Sequence, residues 1–150
     1  MPQSLARVLV HIIFSTKNRA PLVRPEIEKE LFAYQAAIFR ECRSPALIIG
    51  GTEDHLHVLC NLSRTIALCD LLEEVKKRSS KWIKTKGQEY VGFAWQAGYG
   101  VFSVGESGVA ATKSYIAAQK VHHRRIGFQE EYREILRRYG VEYDERYVWD

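Results

Sequence analysis

The sequence predicts an α+β fold, a ferredoxin-like sandwich with helices packed on one face of an antiparallel sheet. Three observations predict it. The stretches with period-two and period-3.6 apolarity follow the order β, α, β, β, α, β before two further helices. The run Arg7-Val-Leu-Val-His-Ile-Ile-Phe-Ser15 is β-branched and nearly continuous in apolarity, as a central strand must be. The chain of 150 residues suits one domain, 1–150, with a real core.

Composition narrows the class. Hydrophobic residues make up 46% and charged residues 27%, as in ordinary soluble proteins. No run approaches the roughly 20 apolar residues of a membrane span, and Met1 to Leu9 lacks the apolar core and cleavage site of a signal peptide. Cys42, Cys60 and Cys69 are odd in number and form no Cys-x-x-Cys, so they read as buried thiols of a reducing cytoplasm. The net charge of +4 leans toward a polyanionic partner.

After the first strand, Lys17 to Arg24 is a polar connection. Pro25, with Glu26 and Glu28, opens a helix. Ile27, Leu31, Tyr34 and Ile38 carry it to about Cys42, and Ser44-Pro45 ends it. Ala46 to Thr52 is a second strand, with Gly50-Gly51 allowing a bulge or bend. It forms a hairpin with Glu53 to Asn61. Thr65 to about Lys84 is the next helix, striped by Ile66, Leu68, Leu71, Leu72, Val75 and Trp82. Lys76, Lys77, Arg78, Lys81 and Lys84 give its second half a one-signed face, the expected footprint of phosphate contacts, though a solvated face is the plain alternative. Gly87 to Gly100 is a glycine- and aromatic-rich loop. Its aromatics could stack unpaired bases or pack the core. Val101 to Val104 is a short strand and Gly105 to Gly108 a flexible connection. Val109 to His123 is a helix with Ser107 as a cap. His122 and His123 suit the negative end of its dipole. Gly127 ends it. Phe128 to Tyr139 is an amphipathic helix before a tail, Gly140 to Asp150, that lies on the surface or on a partner subunit.

The strand Glu53-Asp-His-Leu-His-Val-Leu-Cys-Asn61 carries the chemistry. Its alternation puts His55, His57, Leu59 and Asn61 on one face and Leu56, Val58, Cys60 and Leu62 on the core face. Two imidazoles one residue apart can chelate a divalent metal; they can equally be plain polar strand residues. His11 faces the same way if the strands are neighbours. Among eight tyrosines, Tyr115 alone has an amide oxygen four residues on, at Gln119, so the two share a helix face. Gln119 can be a third ligand, with Tyr115 beside the metal-bound group.

His55-Leu56-His57 resembles the histidine–hydrophobic–histidine motif of the HUH single-strand DNA endonucleases. Tyr115-Ile-Ala-Ala-Gln119 resembles the tyrosine helix of the single-tyrosine HUH transposases of small bacterial insertion sequences, the IS200-like family. The stretches Phe93 to Tyr99, Val101 to Val104, Lys81 to Lys84 and Gly140 to Asp144 are similar to that family in the same order. Glu53 stands where its pattern leads one to expect proline. The resemblance implies an enzyme: Mg²⁺ or Mn²⁺ on His55, His57 and Gln119 polarises the scissile phosphate of single-stranded DNA, and Tyr115 attacks. The products are a 5′-phosphotyrosine and a free 3′-hydroxyl, and a second strand's 3′-hydroxyl rejoins the DNA. No Gly-x-x-x-x-Gly-Lys loop is present, in keeping with chemistry that needs no nucleotide fuel. The implied partners are hairpin ends of an insertion sequence, contacted by Lys76, Lys77, Arg78, Lys81 and Lys84, and a second copy of the chain. The resemblance implies a homodimer with shared active sites, in which the tyrosine helix of one subunit often completes the histidine site of the other. The alternatives are a non-catalytic or domesticated single-strand-binding module of the same fold, and a zinc hydrolase that conscripts Asp54 or His11.

Overall fold

The computed structural model describes residues 2–150 and contains a four-stranded antiparallel sheet in the order β2-β3-β1-β4. Strand β1 (Leu9–Ser15) lies between β3 (His55–Asn61) and β4 (Gly100–Val104), and β2 (Ala46–Gly51) forms the far edge beyond β3. All seven β1 residues are buried. A strand covered on both faces loses the apolar–polar alternation, which is why its sequence is nearly continuous in apolarity.

Alternation still divides the side chains between two faces. Val10, Ile12, Phe14, Leu56, Val58 and Cys60 meet helix α1 (Pro25–Glu41) and helix α2 (Leu68–Ile83). Tyr90, Phe93 and Trp95 of the aromatic loop fill the same core, so these three rings pack rather than wait for bases. Tyr99 is more exposed. Helix α1 starts with Pro25 at its first turn and Glu26 and Glu28 beside it, as expected. Helix α2 begins three residues later than the sequence pattern suggests. The Thr65 hydroxyl lies 3.1 Å from that of Ser63 and its backbone N–H donates to Ser63 Oγ, so this segment forms a turn instead of a cap.

The opposite face carries Leu9, His11, Ile13, His55, His57 and Leu59. Three helices of the same chain lie against it: α3 (Val109–Ala117), α4 (Gln119–His122) and α5 (Phe128–Arg138). The tyrosine helix is therefore close to the histidine strand. The expected continuous helix from Val109 to His123 breaks at Ala118 (φ −95°, ψ 14°). Ser107 sits in a 3-10 turn, Glu106–Gly108, and makes no cap bond. The tail folds back onto its own chain: Val148 and Trp149 pack on the α5 core, and the Gly98 N–H donates to the Asp150 carbonyl at 2.8 Å. Cys60 is buried as expected, Cys42 is half-buried and Cys69 is exposed. No helix among the described residues is long and apolar enough to cross a membrane.

The β2–β3 bulge lies at Ala46/Ile48 rather than at the glycine pair. Gly50 has another task. A Cβ there would lie 2.5 Å from the Ile116 carbonyl oxygen, inside contact distance, so glycine lets the α3 backbone rest on β2 one residue from Tyr115. We expect Gly50→Ala to cost about 1–3 kcal/mol of stability by this overpacking, read as a lowered urea midpoint. Wild-type stability in that variant would mean that α3 does not rest on β2.

Candidate active site

Strand β3 fixes the first two groups. Ile13 pairs with His57 and His11 with Leu59, which brings His11 diagonally against His57 on the same face. Their rings are tied by a His11 Nε2···His57 Nδ1 hydrogen bond of 2.8 Å. Both rings are buried, and burial pulls His11 down to about 3 and His57 down to about 4. The neighbouring imidazole adds to this for His11, while Glu131 partly opposes it for His57. Both rings are neutral at pH 7.

His55 is fully buried at the base of the β2–β3 hairpin. Its Nδ1 lies 2.7 Å from Asp54 Oδ1 and 3.0 Å from Thr52 Oγ1. Burial acts to raise Asp54, but the contacts with His55 prevail and keep it below its ordinary value. An ionised Asp54 takes the Nδ1 proton of His55, the arrangement that orients ligating histidines. The Nε2 lone pair then faces Gln119 Oε1 at 3.1 Å and Glu131 Oε1 at 3.6 Å.

Glu131, in the first turn of α5, is 2% exposed and sits at the centre. One oxygen, Oε1, lies 3.0 Å from His57 Nε2 and 3.1 Å from His123 Nε2. The His123 contact is ionic in distance but lacks hydrogen-bonding geometry. The other oxygen, Oε2, accepts a hydrogen bond from the Tyr115 hydroxyl and lies 3.4 Å from both Gln119 Nε2 and His122 Nε2. Burial alone would raise Glu131, but His123, His57 and Tyr115 together hold it well below the usual carboxylate range. Burial, then the hydrogen bond and charge of Glu131, push the Tyr115 phenol above its ordinary value. For His123 burial acts downward, and the Glu131 carboxylate outweighs it to give a net rise.

The donor set fits a divalent cation. Ligand atoms of His55, His57, His123 and Glu131 all lie within 4.8 Å of one another. The His55 Nε2 lone pair and two carbonyl-type oxygens converge with no proton between them, an arrangement that repels itself unless a cation lies among them.

The residues expected from the sequence are thus brought together in part. His55, His57, Gln119 and Tyr115 meet around Glu131. His123 belongs to this cluster and not merely to a helix end. Glu131 gave a signal that went unread: Phe128, Glu131, Tyr132 and Ile135 form the buried stripe of α5, and a carboxylate on such a stripe needs a partner. The basic residues lie elsewhere, since α2 packs on the opposite face of the sheet. Lys76 Nζ donates to the carbonyls of Gln96, Ala97 and Gly98 at 3.0, 3.2 and 2.6 Å, and Arg78 pairs with Glu41 at 2.6 Å. Lys77, Lys81 and Lys84 are exposed.

Residues 4–119 match a family model described as "Transposase IS200 like". No curated protein sequence matches the chain. Among solved structures, a Deinococcus radiodurans protein assigned as a transposase is 20% identical, with a TM-score of 0.61 over 79% of this chain and 98% of its own. A REP-associated tyrosine transposase bound to a REP hairpin is 13% identical, with a TM-score of 0.60 over 82% of this chain and 73% of its own. At such identities these two likenesses speak to the fold.

The imidazoles predict acid lability. His11 and His57 are held neutral in the fold, whereas an unfolded histidine binds its proton near pH 6.5. Their contribution is present above about pH 6.5 and is lost as pH falls toward 4. Glu131 acts in the same direction below about pH 4.5, and His123, raised, acts in the opposite direction. We expect the urea midpoint to fall steadily from pH 7 to pH 4.5, less steeply in a His11→Gln variant. A flat profile would mean that the buried rings titrate like free histidine.

Proposed function

The chain belongs to the IS200-like transposase family, and from that premise we propose that it cleaves and rejoins single-stranded DNA through Tyr115. The observation that carries the reading is that the Tyr115 hydroxyl and the histidine pair meet at one carboxylate, Glu131. The pair and Glu131 would hold the cation, with Gln119 Oε1 and His123 beside them. A mixed imidazole–carboxylate set suits Mn²⁺ at least as well as Mg²⁺, because imidazole is a poor ligand for magnesium. When bound, such an ion supplies Lewis-acid polarisation of the scissile phosphate and offsets the charge of the carboxylate.

The protein groups do the rest. At its ordinary pKa a tyrosine costs roughly 4 kcal/mol to ionise at pH 7, and burial beside Glu131 makes Tyr115 costlier still. Glu131 Oε2 accepts the phenol hydrogen bond and so orients Oη, whose proton passes to solvent as Oη attacks phosphorus. The bond from phosphorus to the 3′-oxygen breaks, that oxygen takes up a proton from solvent, and the 5′-phosphate stays on Tyr115. A second 3′-hydroxyl reverses the exchange. The homodimer implied by the family resemblance would serve to hold two DNA ends. The solved relative bound to a REP hairpin supports a hairpin end as the DNA partner.

On α2, we assign phosphate contacts to Lys77, Lys81 and Lys84 and a structural role to Lys76, whose Nζ already holds three carbonyls. Lys77→Ala and Lys84→Ala should each lower the salt slope of DNA binding by about 1. Lys76→Ala should instead cost about 1–3 kcal/mol of stability. The reverse pattern on a fluorescence titration would exchange these roles.

The decisive test mixes the protein with labelled single strands from the DNA flanking its gene, with Mn²⁺ or Mg²⁺, and looks for a covalent adduct on a denaturing gel. We expect an adduct that is absent with chelator and in Tyr115→Phe, and about 10²-fold slower in Glu131→Gln. An adduct that survives Tyr115→Phe would sink the nucleophile. Retarded complexes with no adduct would favour a binding module.

A further inference from the structure

Tyr115 has a second side. Away from Glu131 its ring lines a pocket of about 250 Å³ between α3 and α5, with His11, Thr112, Ile135, Arg138 and Tyr139. We propose that this pocket seats the sugar and base of the nucleotide that carries the scissile phosphate, and that Arg138 pairs with that phosphate from the side opposite the histidine pair. The inference rests on the reading of Tyr115 as the nucleophile.

Arg138 is the one arginine or lysine among the pocket's lining residues, beside Ala111, Ile135 and the polar groups of His11, Thr112 and the two tyrosines. Arg138 has no carboxylate partner among the described residues. An unpaired guanidinium beside a hydroxyl nucleophile matches a phosphodiester in both charge and shape. Tyr139 supplies a wall. Its hydroxyl donates to the Ser103 carbonyl at 3.1 Å and its ring lies 4.9 Å from that of Phe102, so the ring is fixed while 43% of the residue stays exposed. A fixed, half-exposed aromatic face is what an unpaired base or sugar stacks on. The lysines of α2 lie across the sheet and cannot serve this phosphate. Arg138 lies beyond the residues that the family model covers.

The test measures binding apart from chemistry. In a Tyr115→Phe background, a fluorescein-labelled single strand from the flanking DNA is titrated against Arg138→Gln, Arg138→Lys and Thr112→Trp, the last of which fills the pocket. We expect Arg138→Gln and Thr112→Trp to weaken binding about tenfold, and Arg138→Lys to restore part of the loss. The salt slope should fall by about 1 in Arg138→Gln alone. With Tyr115 intact, Arg138→Gln should slow adduct formation by at least the same factor. Wild-type affinity, salt slope and adduct rate in Arg138→Gln would overturn the proposal. Should the wild-type protein form no adduct while Arg138→Gln still loses affinity, the nucleophile reading fails and the nucleotide pocket stands.

Discussion

A carboxylate buried to 2% exposure stays ionised only if its surroundings replace the water it has lost. Around Glu131 that replacement comes from His57, His122, His123, Tyr115 and Gln119. Strand β3 holds His57, and the chain from α3 through the break at Ala118 to the end of α4 holds the other four. The second layer of the protein is arranged to satisfy this one group. The same contacts impose a proton order. While His57 donates from Nε2 to Glu131, its Nδ1 must accept from His11. For His57 to turn its Nε2 lone pair toward a cation, the proton must sit on Nδ1 and His11 must accept it. His11 is thus the partner that sets the His57 tautomer, which explains a buried polar ring in the middle of the central strand.

The backbone meets the same demand. Gly50 lets the α3 backbone come down onto β2, and Gly100 makes room for the Tyr132 side chain of α5, whose hydroxyl would lie 2.5 Å from a Cβ there. Two glycines at opposite edges of the sheet thus make room for the helices that carry Tyr115 and Glu131. Close approach at these points is needed because the tyrosine and the carboxylate are side chains of ordinary reach that must meet over the centre of the sheet.

Much of this was legible in the chain. Period-two alternation assigned His55 and His57 to one face and Leu56, Val58 and Cys60 to the other, and parity added His11. Helical spacing linked Tyr115 to Gln119. The order of elements pointed to the sandwich. What escaped was whatever depends on distant parts of the chain meeting. Glu131 and His123 reach the site only because α5 turns back across the sheet, and no local period encodes that return. Lys76 resembled its neighbours in sequence, yet its ammonium is committed to three carbonyls of the loop before β4. The uniform basic face of α2 thus concealed two kinds of lysine, because charge is visible in a sequence and the partner of a charge is not.

Helix α5 holds two offices at once. It covers Ile13 and Phe102 with Phe128, Tyr132, Ile135 and Leu136, and it delivers Glu131. Descendants of this chain that had given up DNA chemistry would still need the helix to cover those strands, so its persistence would record selection for solubility and folding. On the proposed mechanism, the residues at positions 115 and 131 would tell a working lineage from a retired one.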